Sequence, residues 1–383
     1  MVCFGGEDWW YHNRGHFDMQ MMRRMAKRMP VLYVNSVGTR VPSMSEGRIF
    51  LKRILRKAKS LSRLLRKVEE GFHVASFVSL PFQHGAGMKL NQALVRLQLD
   101  LACGVLGIAP RVLWLACPGA RKAALGIPVD AVVYQRTDNY SEFAGASRNA
   151  IAEADEELGR RADLVLVSSQ VLREASSGLG DKVLLVTHGV DYDLFTPEGG
   201  DVPVDMAMIP RPIAGFFGGL GPTTFDAEFA AKAAALAPEF SFVFVGAVST
   251  DVTALRRLPN TYFLGQRPYN EVPSYGRQFD VCIMPWQHNK WIEACNPVKM
   301  KEYLSLGKPI VSTDFPEVRA FRDFVEIDDE PAGFAEAIRR SHRENSGDRA
   351  RARRESVRHE TWDAKAECVW ARIEAIAGAR TRP

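Results

Sequence analysis

The stretch NPVKMKEYLSLGKPIVST, residues 296–313, combines residue types and spacings that could do chemistry. A helix is expected from about Val298 to Leu306, placing Lys299 and Glu302 one turn apart on one face. Gly307 should end that helix, and Pro309–Ser312 should begin a strand. A nucleotide sugar needs a cation for its diphosphate and a carboxylate that accepts from both ribose hydroxyls. Lys299 and Glu302 at the head of a helix can supply both, and the helix N-terminus adds backbone N–H donors. An ordinary surface ion pair would use the same i,i+3 spacing.

Other candidates lie just past expected strand ends. Gly218-Gly219-Leu220-Gly221 follows a strand and precedes a helix, where a phosphate is commonly cradled. The loop is not a G-x-G-x-x-G, and the chain has no Walker motif, which disfavours a dehydrogenase or a P-loop NTPase. A tight structural turn is the plain alternative. In VVYQRTDNYSEF, Asp138 sits where a carboxylate could take a proton from an acceptor hydroxyl, though an N-cap or Asx-turn would also use an aspartate. Arg136 and Tyr140 accompany it as acceptor-binding candidates. In the first loop, GGEDWWYHNRGHFDM, Gly5 and Gly6 allow close approach of a ligand, and His12, Arg14 and His16 add polar and cationic groups. His12 and His16 share an i,i+4 spacing, but no third ligand lies nearby, so no metal is expected. Trp9 and Trp10 suit either stacking on a sugar or packing.

Positioning these groups calls for alternating strands and helices. Expected strands are Val2–Phe4, Val31–Asn35, His73–Phe77, Arg111–Leu115, Ala131–Gln135 and Leu164–Ser168, with helices at Phe17–Arg28, Leu90–Leu106 and Ser147–Arg161. After a Gly-, Pro- and Asp-rich linker a second series runs through Ile213–Phe217, a helix Phe225–Leu236, Phe242–Val245, Thr261–Leu264, Val281–Met284 and Pro309–Ser312. With 383 residues, two doubly wound α/β domains are expected, each binding ligand at the carboxyl ends of its strands. Residues from about Pro331 to Ile376 read as helical and highly charged.

Four ordered segments resemble GT-B glycosyltransferases, particularly family 4 (group 1). THGVDYDLF (187–195) resembles the hinge between domains, and IAGFFGGL (213–220) the first strand and glycine loop of the donor domain. NTYFLGQRPYNEVPSYGRQFDVCIMPW (260–286), which contains Gln266, and the Lys299–Glu302 helix resemble the elements that follow. The resemblance implies a GT-B fold, two Rossmann-like domains facing across a cleft. Residues 1–190 would bind the acceptor, residues 191–359 the nucleotide-sugar donor, and a helix over 360–383 would cross back to the first domain. It implies donor binding by Gly218, Gly219, Gln266, Asn296, Pro297, Lys299 and Glu302, with Glu302 on the ribose. Gly6, His12, Arg14, His16 and Arg136 would bind acceptor, and Asp138 would act as base. The family's first glutamate falls at position 294, here alanine, with Glu293 one residue out of register; N-P-x-K-x-x-E-Y is a divergent form of that element. The family's glycine-loop cations are also missing, which puts more weight on Lys299. Asp191 and Asp193 spell the D-x-D that binds metal in GT-A enzymes, but in a hinge they read as a turn.

Charge bears on the partner. Residues 1–190 hold 26 Lys+Arg against 17 Asp+Glu, and the remainder 24 against 28. Residues 48–68, RIFLKRILRKAKSLSRLLRKV, hold nine Lys+Arg and no acid. Leu51, Ile54, Leu55, Ala58, Leu61, Leu65 and Val68 recur at helical spacing, as in a basic amphipathic helix lying on an anionic membrane; packing in the domain would use the same pattern. No RNA-binding signature accompanies it, so nucleic acid is not expected. Six scattered cysteines, no long apolar run and no signal-peptide pattern at the N-terminus suggest a cytoplasmic protein, peripheral on the inner face of the membrane. The expected reaction is metal-independent transfer from a nucleoside diphosphate sugar, UDP-linked, to a lipid-linked or cell-surface polysaccharide acceptor, with no cofactor. The alternatives are a GT-B nucleotide-sugar epimerase and a non-catalytic sugar-nucleotide or membrane-binding scaffold.

Overall fold

The computed structural model describes residues 1–11, 15–36, 59–79, 85–124, 126–140 and 148–380. His12, Arg14 and residues 48–58 of the basic stretch lie outside them. The chain divides into two compact units, one of residues 1–168, 172–186 and 365–383, the other of residues 169–171 and 187–364.

The first unit holds one eight-stranded sheet. Its strands are β1 (Val2–Phe4), β2 (Val31–Val34), β3 (Leu65–Glu69), β4 (Phe72–Ala75), β5 (Val112–Leu115), β6 (Ala131–Arg136), β7 (Leu164–Val167) and β8 (Val183–Leu185), in the spatial order β3-β4-β2-β1-β5-β6-β7-β8. All neighbours are parallel except β3 and β4. Strands β1, β2, β5 and β7 are buried at every residue, as a parallel sheet covered on both faces requires. The order reverses between β1 and β5, so the loops leaving their carboxyl ends border the natural ligand position.

The basic helix expected over residues 48–68 does not run to its end. Leu65–Glu69 is strand β3, paired antiparallel with β4. Leu64, at φ 42°, turns the chain out of any helix, and Gly71, at φ 66°, makes the tight return between the strands. Backbone pairing with β4 therefore overrides a helical period that rests here on only Leu61, Leu65 and Val68.

The second unit holds a six-stranded parallel sheet. Its strands are β9 (Ile213–Phe217), β10 (Ser241–Val245), β11 (Thr261–Phe263), β12 (Val281–Met284), β13 (Ile310–Ser312) and β14 (Val325–Ile327), in the order β11-β10-β9-β12-β13-β14. Side chains of β9 alternate between two cores. Ile213 and Phe217 pack with Met300, Tyr303 and Leu304, while Ala214 and Phe216 pack with Ala230, Ala233 and Phe334. The order reverses between β9 and β12, and helix Val298–Ser305 covers the sheet beside that point.

The charged end of the chain is three helices, Pro331–Arg343, Gly347–Ser356 and Trp362–Arg380. Trp362 is fully buried, and the last helix counts with the first unit from Lys365 onward. No helix among the described residues is long and apolar enough to cross a membrane.

Candidate active site

Helix Val298–Ser305 starts where the sequence demands. Pro297, in extended backbone at φ −77° and ψ 117°, is its N-cap and needs no N–H partner. Met300, Tyr303 and Leu304 are buried, and the helix ends with Leu306 as C-cap, just before Gly307. The Tyr303 hydroxyl accepts from the Phe217 N–H at 3.0 Å, and the two rings meet edge to face at 4.5 Å. Tyr303 thus ties the helix to the last residue of β9, so the residue one turn before it, Lys299, lies beside the loop that β9 enters.

In that loop Gly218 has φ 131°, and a Cβ there would lie 2.2 Å from Lys299 Cε. Lys299 Nζ stands 5.5 Å from the Phe216 ring centre and 5.7 Å from that of Trp286, which follows β12. Both rings present electron-rich faces to a cation. Among the described residues the ammonium has neither an ion-pair nor a hydrogen-bond partner. Burial lowers its pKa, and the nearby Glu302 opposes that shift. Such a cation is suited to an anion that arrives from outside.

Glu302 is 4% exposed, which rules out the surface ion-pair reading. It accepts from the Tyr269 hydroxyl at 3.2 Å. Burial raises its carboxyl to about 7, against the lowering effects of Lys299 and Tyr269. Gly219 opens onto free space, since a Cβ there would meet nothing within 4 Å. Gln266 is exposed in the loop after β11. Asn296 is 2% exposed and both ends of its amide are occupied: Oδ1 accepts from the His188 N–H at 3.0 Å and Nδ2 donates to Glu317 at 2.7 Å. Ala294, at the position of the family's first glutamate, is buried, and Glu293 is exposed. Asp191 begins a turn, its carbonyl accepting from the Phe195 N–H at 2.9 Å.

In the first unit Asp138 follows the carboxyl end of β6 and is half-buried. Burial raises it to about 7, Glu7 adds to the shift, and a hydrogen bond with Thr137 opposes it. Tyr140 donates to the Ala116 carbonyl, just past β5, at 3.0 Å. Gly6 donates its N–H to Asp18 at 2.9 Å, and Asp18 also accepts from the Tyr33 hydroxyl at 2.8 Å. His16 is exposed at the N-cap of helix Phe17–Met25. Arg136 is engaged inside the unit, pairing with Asp155 at 2.9 Å and donating to Ser176 at 2.8 Å. Trp9 packs: it is 2% exposed, with its ring against Tyr33 and Phe72.

Sequence reasoning missed Tyr269, Trp286 and Phe216 around Lys299 and Glu302. The local signal for Phe216 and Trp286 is position at or just after a strand end, where ligand-contacting groups collect, whereas Tyr269 lies further along the loop that follows β11.

Each sheet is doubly wound with a glycine turn at its point of reversal, and beside the second lie the half-buried Lys299 and the buried Glu302. Residues 211–344 match the family described as glycosyl transferases group 1. Over 290 residues the chain is 29% identical to TuaH of Bacillus subtilis (strain 168), assigned as a teichuronic acid biosynthesis glycosyltransferase, covering 70% of this chain and 71% of that one. Among solved structures, sucrose-phosphate synthase from Thermosynechococcus elongatus superposes with a TM-score of 0.69 at 14% identity, covering 99% of this chain and 98% of that one. Anabaena Alr3699/HepE in complex with UDP and glucose gives 0.63 at 15% identity, covering 99% and 97%. The chain is a glycosyltransferase of the GT-B fold.

Proposed function

We propose that this enzyme moves a sugar from a UDP-sugar to a lipid-linked or cell-surface polysaccharide acceptor without a metal ion. The observation that carries the donor half is the Lys299 ammonium laid against Gly218, with buried Glu302 one turn further along the helix. Ionised Glu302 accepts hydrogen bonds from the two ribose hydroxyls. Lys299, the backbone N–H groups of Gly218 and Gly219 and the start of helix Val298–Ser305 hold the diphosphate. As the bond to the sugar breaks, negative charge grows on the leaving diphosphate, and that fixed cation stabilises it where a metal would otherwise serve. Asp138, held near neutral pKa, takes the acceptor hydroxyl's proton. The Anabaena structure with UDP supports the choice of nucleotide, and the role of TuaH supports a polysaccharide acceptor.

A membrane-borne acceptor accords with the basic residues 48–68 and with helix Gly85–Leu106. That helix buries Val95, Leu99, Ala102 and Cys103 on one side, yet leaves Leu90, Leu97, Leu101 and Val105 58–78% exposed on the other. Such an apolar stripe in a basic unit suits the surface of an anionic bilayer.

The test is UDP release from UDP-sugars in EDTA, with and without a lipid extract as acceptor. Acceptor-dependent release supports transfer. Consumption of the donor without acceptor supports an epimerase, and no consumption under any condition refutes the donor assignment.

A further inference from the structure

The segment carrying Lys299 is fixed to the backbone of one residue, His188, from two directions. His188 donates its N–H to Asn296 Oδ1 at 3.0 Å, and its carbonyl accepts from Lys301 Nζ at 2.6 Å. Each partner is backed by a carboxylate: Asn296 Nδ2 donates to Glu317 Oε2 at 2.7 Å, and Lys301 Nζ pairs with Glu360 at 2.6 Å. The second oxygen of Glu317 accepts from the Gln170 N–H at 2.9 Å. Asn296 and Lys301 are 2% and 1% exposed. Lys299 lies on the short length of chain between them.

These bonds have a direction. A carboxylate only accepts, so Glu317 can satisfy the Gln170 N–H and the Asn296 amide only if the NH2 of Asn296 faces it. The amide oxygen is then turned toward the His188 N–H. Rotated the other way, the amide would set donor against donor and acceptor against acceptor in a buried site, which is strongly disfavoured.

We propose that Asn296 and Glu317 are positioning residues for glycosyl transfer: Glu317 orients the Asn296 amide, Asn296 pins His188, and the pinned turn sets where Lys299 enters the diphosphate site. The inference rests on the reading of Lys299 as the donor's cation. Neither residue need touch the donor.

A hydrogen-bond swap tests it. Asn296→Asp alone sets two carboxylates face to face, and Glu317→Gln alone sets two amide NH2 groups face to face. Combined, the new carboxylate at 296 accepts from His188 and from the new amide at 317, whose oxygen still accepts from Gln170. Donor KM, kcat and melting temperature are measured for the wild type, both single variants and the double variant. Asn296→Asp should lower kcat/KM about tenfold or more, Glu317→Gln less, and the double variant should return to within about threefold of wild type. A double variant no better than Asn296→Asp contradicts the proposal. So does a loss confined to melting temperature, with KM and kcat unchanged in the folded range. If the wild type turns over donor and neither single variant is impaired, the positioning role falls and the donor reading stands. If the wild type neither binds UDP nor turns over any donor, the donor reading falls and takes this inference with it.

Discussion

A methyl group on Gly218 would lie 2.2 Å from Lys299 Cε and 2.8 Å from its Nζ. The space that a side chain would take at the end of β9 is the space that Lys299 occupies. Gly218 also has φ 131°, which disfavours any other residue. Gly218→Ala should therefore displace the ammonium and lower kcat/KM about as far as removing it. Gly219→Ala should leave the unliganded protein's melting temperature unchanged, since nothing lies within 4 Å of the added methyl. Equal activity for Gly218→Ala and wild type would show that Lys299 is not held where catalysis needs it.

Lys299→Ala should lower kcat/KM by about 10²–10³-fold, the range seen when one group stabilising a developing anion is lost. Steady-state UDP release measures it. Lys299→Arg should recover little, because the slot between Phe216, Trp286 and Gly218 fits an unbranched chain end.

Glu302 makes stability and binding depend on pH in opposite senses. Its folded pKa is raised to about 7 from the usual 4.5. Between those values the folded chain keeps a proton that the unfolded chain has lost, so stability falls as pH rises through the window. Glu302→Gln removes that cost, and should gain on wild type by a few kcal/mol between about pH 5 and pH 8 in melting experiments. Donor binding uses the ionised form, so wild-type donor KM should rise as pH drops below about 7, and this rise should vanish in Glu302→Gln. A pH-independent KM in the wild type excludes the ribose role.

If Asp138 is the base, kcat at saturating donor should climb with pH through about 7 and then level, because only the ionised carboxylate takes a proton. Asp138→Asn should lose about 10²–10⁴-fold in rate with little change in donor binding. A variant that keeps the wild-type pH profile sends the search to another group.

The apolar stripe on helix Gly85–Leu106 can be tested separately from catalysis. The double substitution Leu97→Glu and Leu101→Glu, at residues 58% and 61% exposed, should leave the melting temperature unchanged. It should reduce cosedimentation with phosphatidylglycerol vesicles. Undiminished sedimentation removes this helix from the membrane reading.

Much of this was legible beforehand because the relevant signals are local. Strand–glycine–helix order placed β9 and Gly218, and the i,i+3 spacing before Gly307 put Lys299 and Glu302 on one helix, in a chain identified as a GT-B glycosyltransferase. What was not legible depends on distant partners. Asn296 was expected to meet the donor, yet its amide is occupied by His188, 108 residues before it, and by Glu317, 21 residues after. Arg136 was expected to meet the acceptor, yet it pairs with Asp155 on helix Arg148–Arg161. Leu61, Leu65 and Val68 fit a helical period, but edge-strand pairing with β4 decided the outcome for the last two. Spacing along a chain says which residues share a face; it does not say what the fold brings to meet them.

Calorimetric titration of UDP in EDTA tests the central claim most directly. A nucleotide site built on Lys299 and Glu302 predicts saturable binding of one UDP per wild-type chain. It also predicts that Lys299→Ala and Glu302→Ala, each still folded, bind UDP at least about tenfold more weakly, as expected for losing a charged hydrogen-bonding group. Undiminished UDP binding by both variants, or no binding of any nucleotide by the wild type, would contradict it.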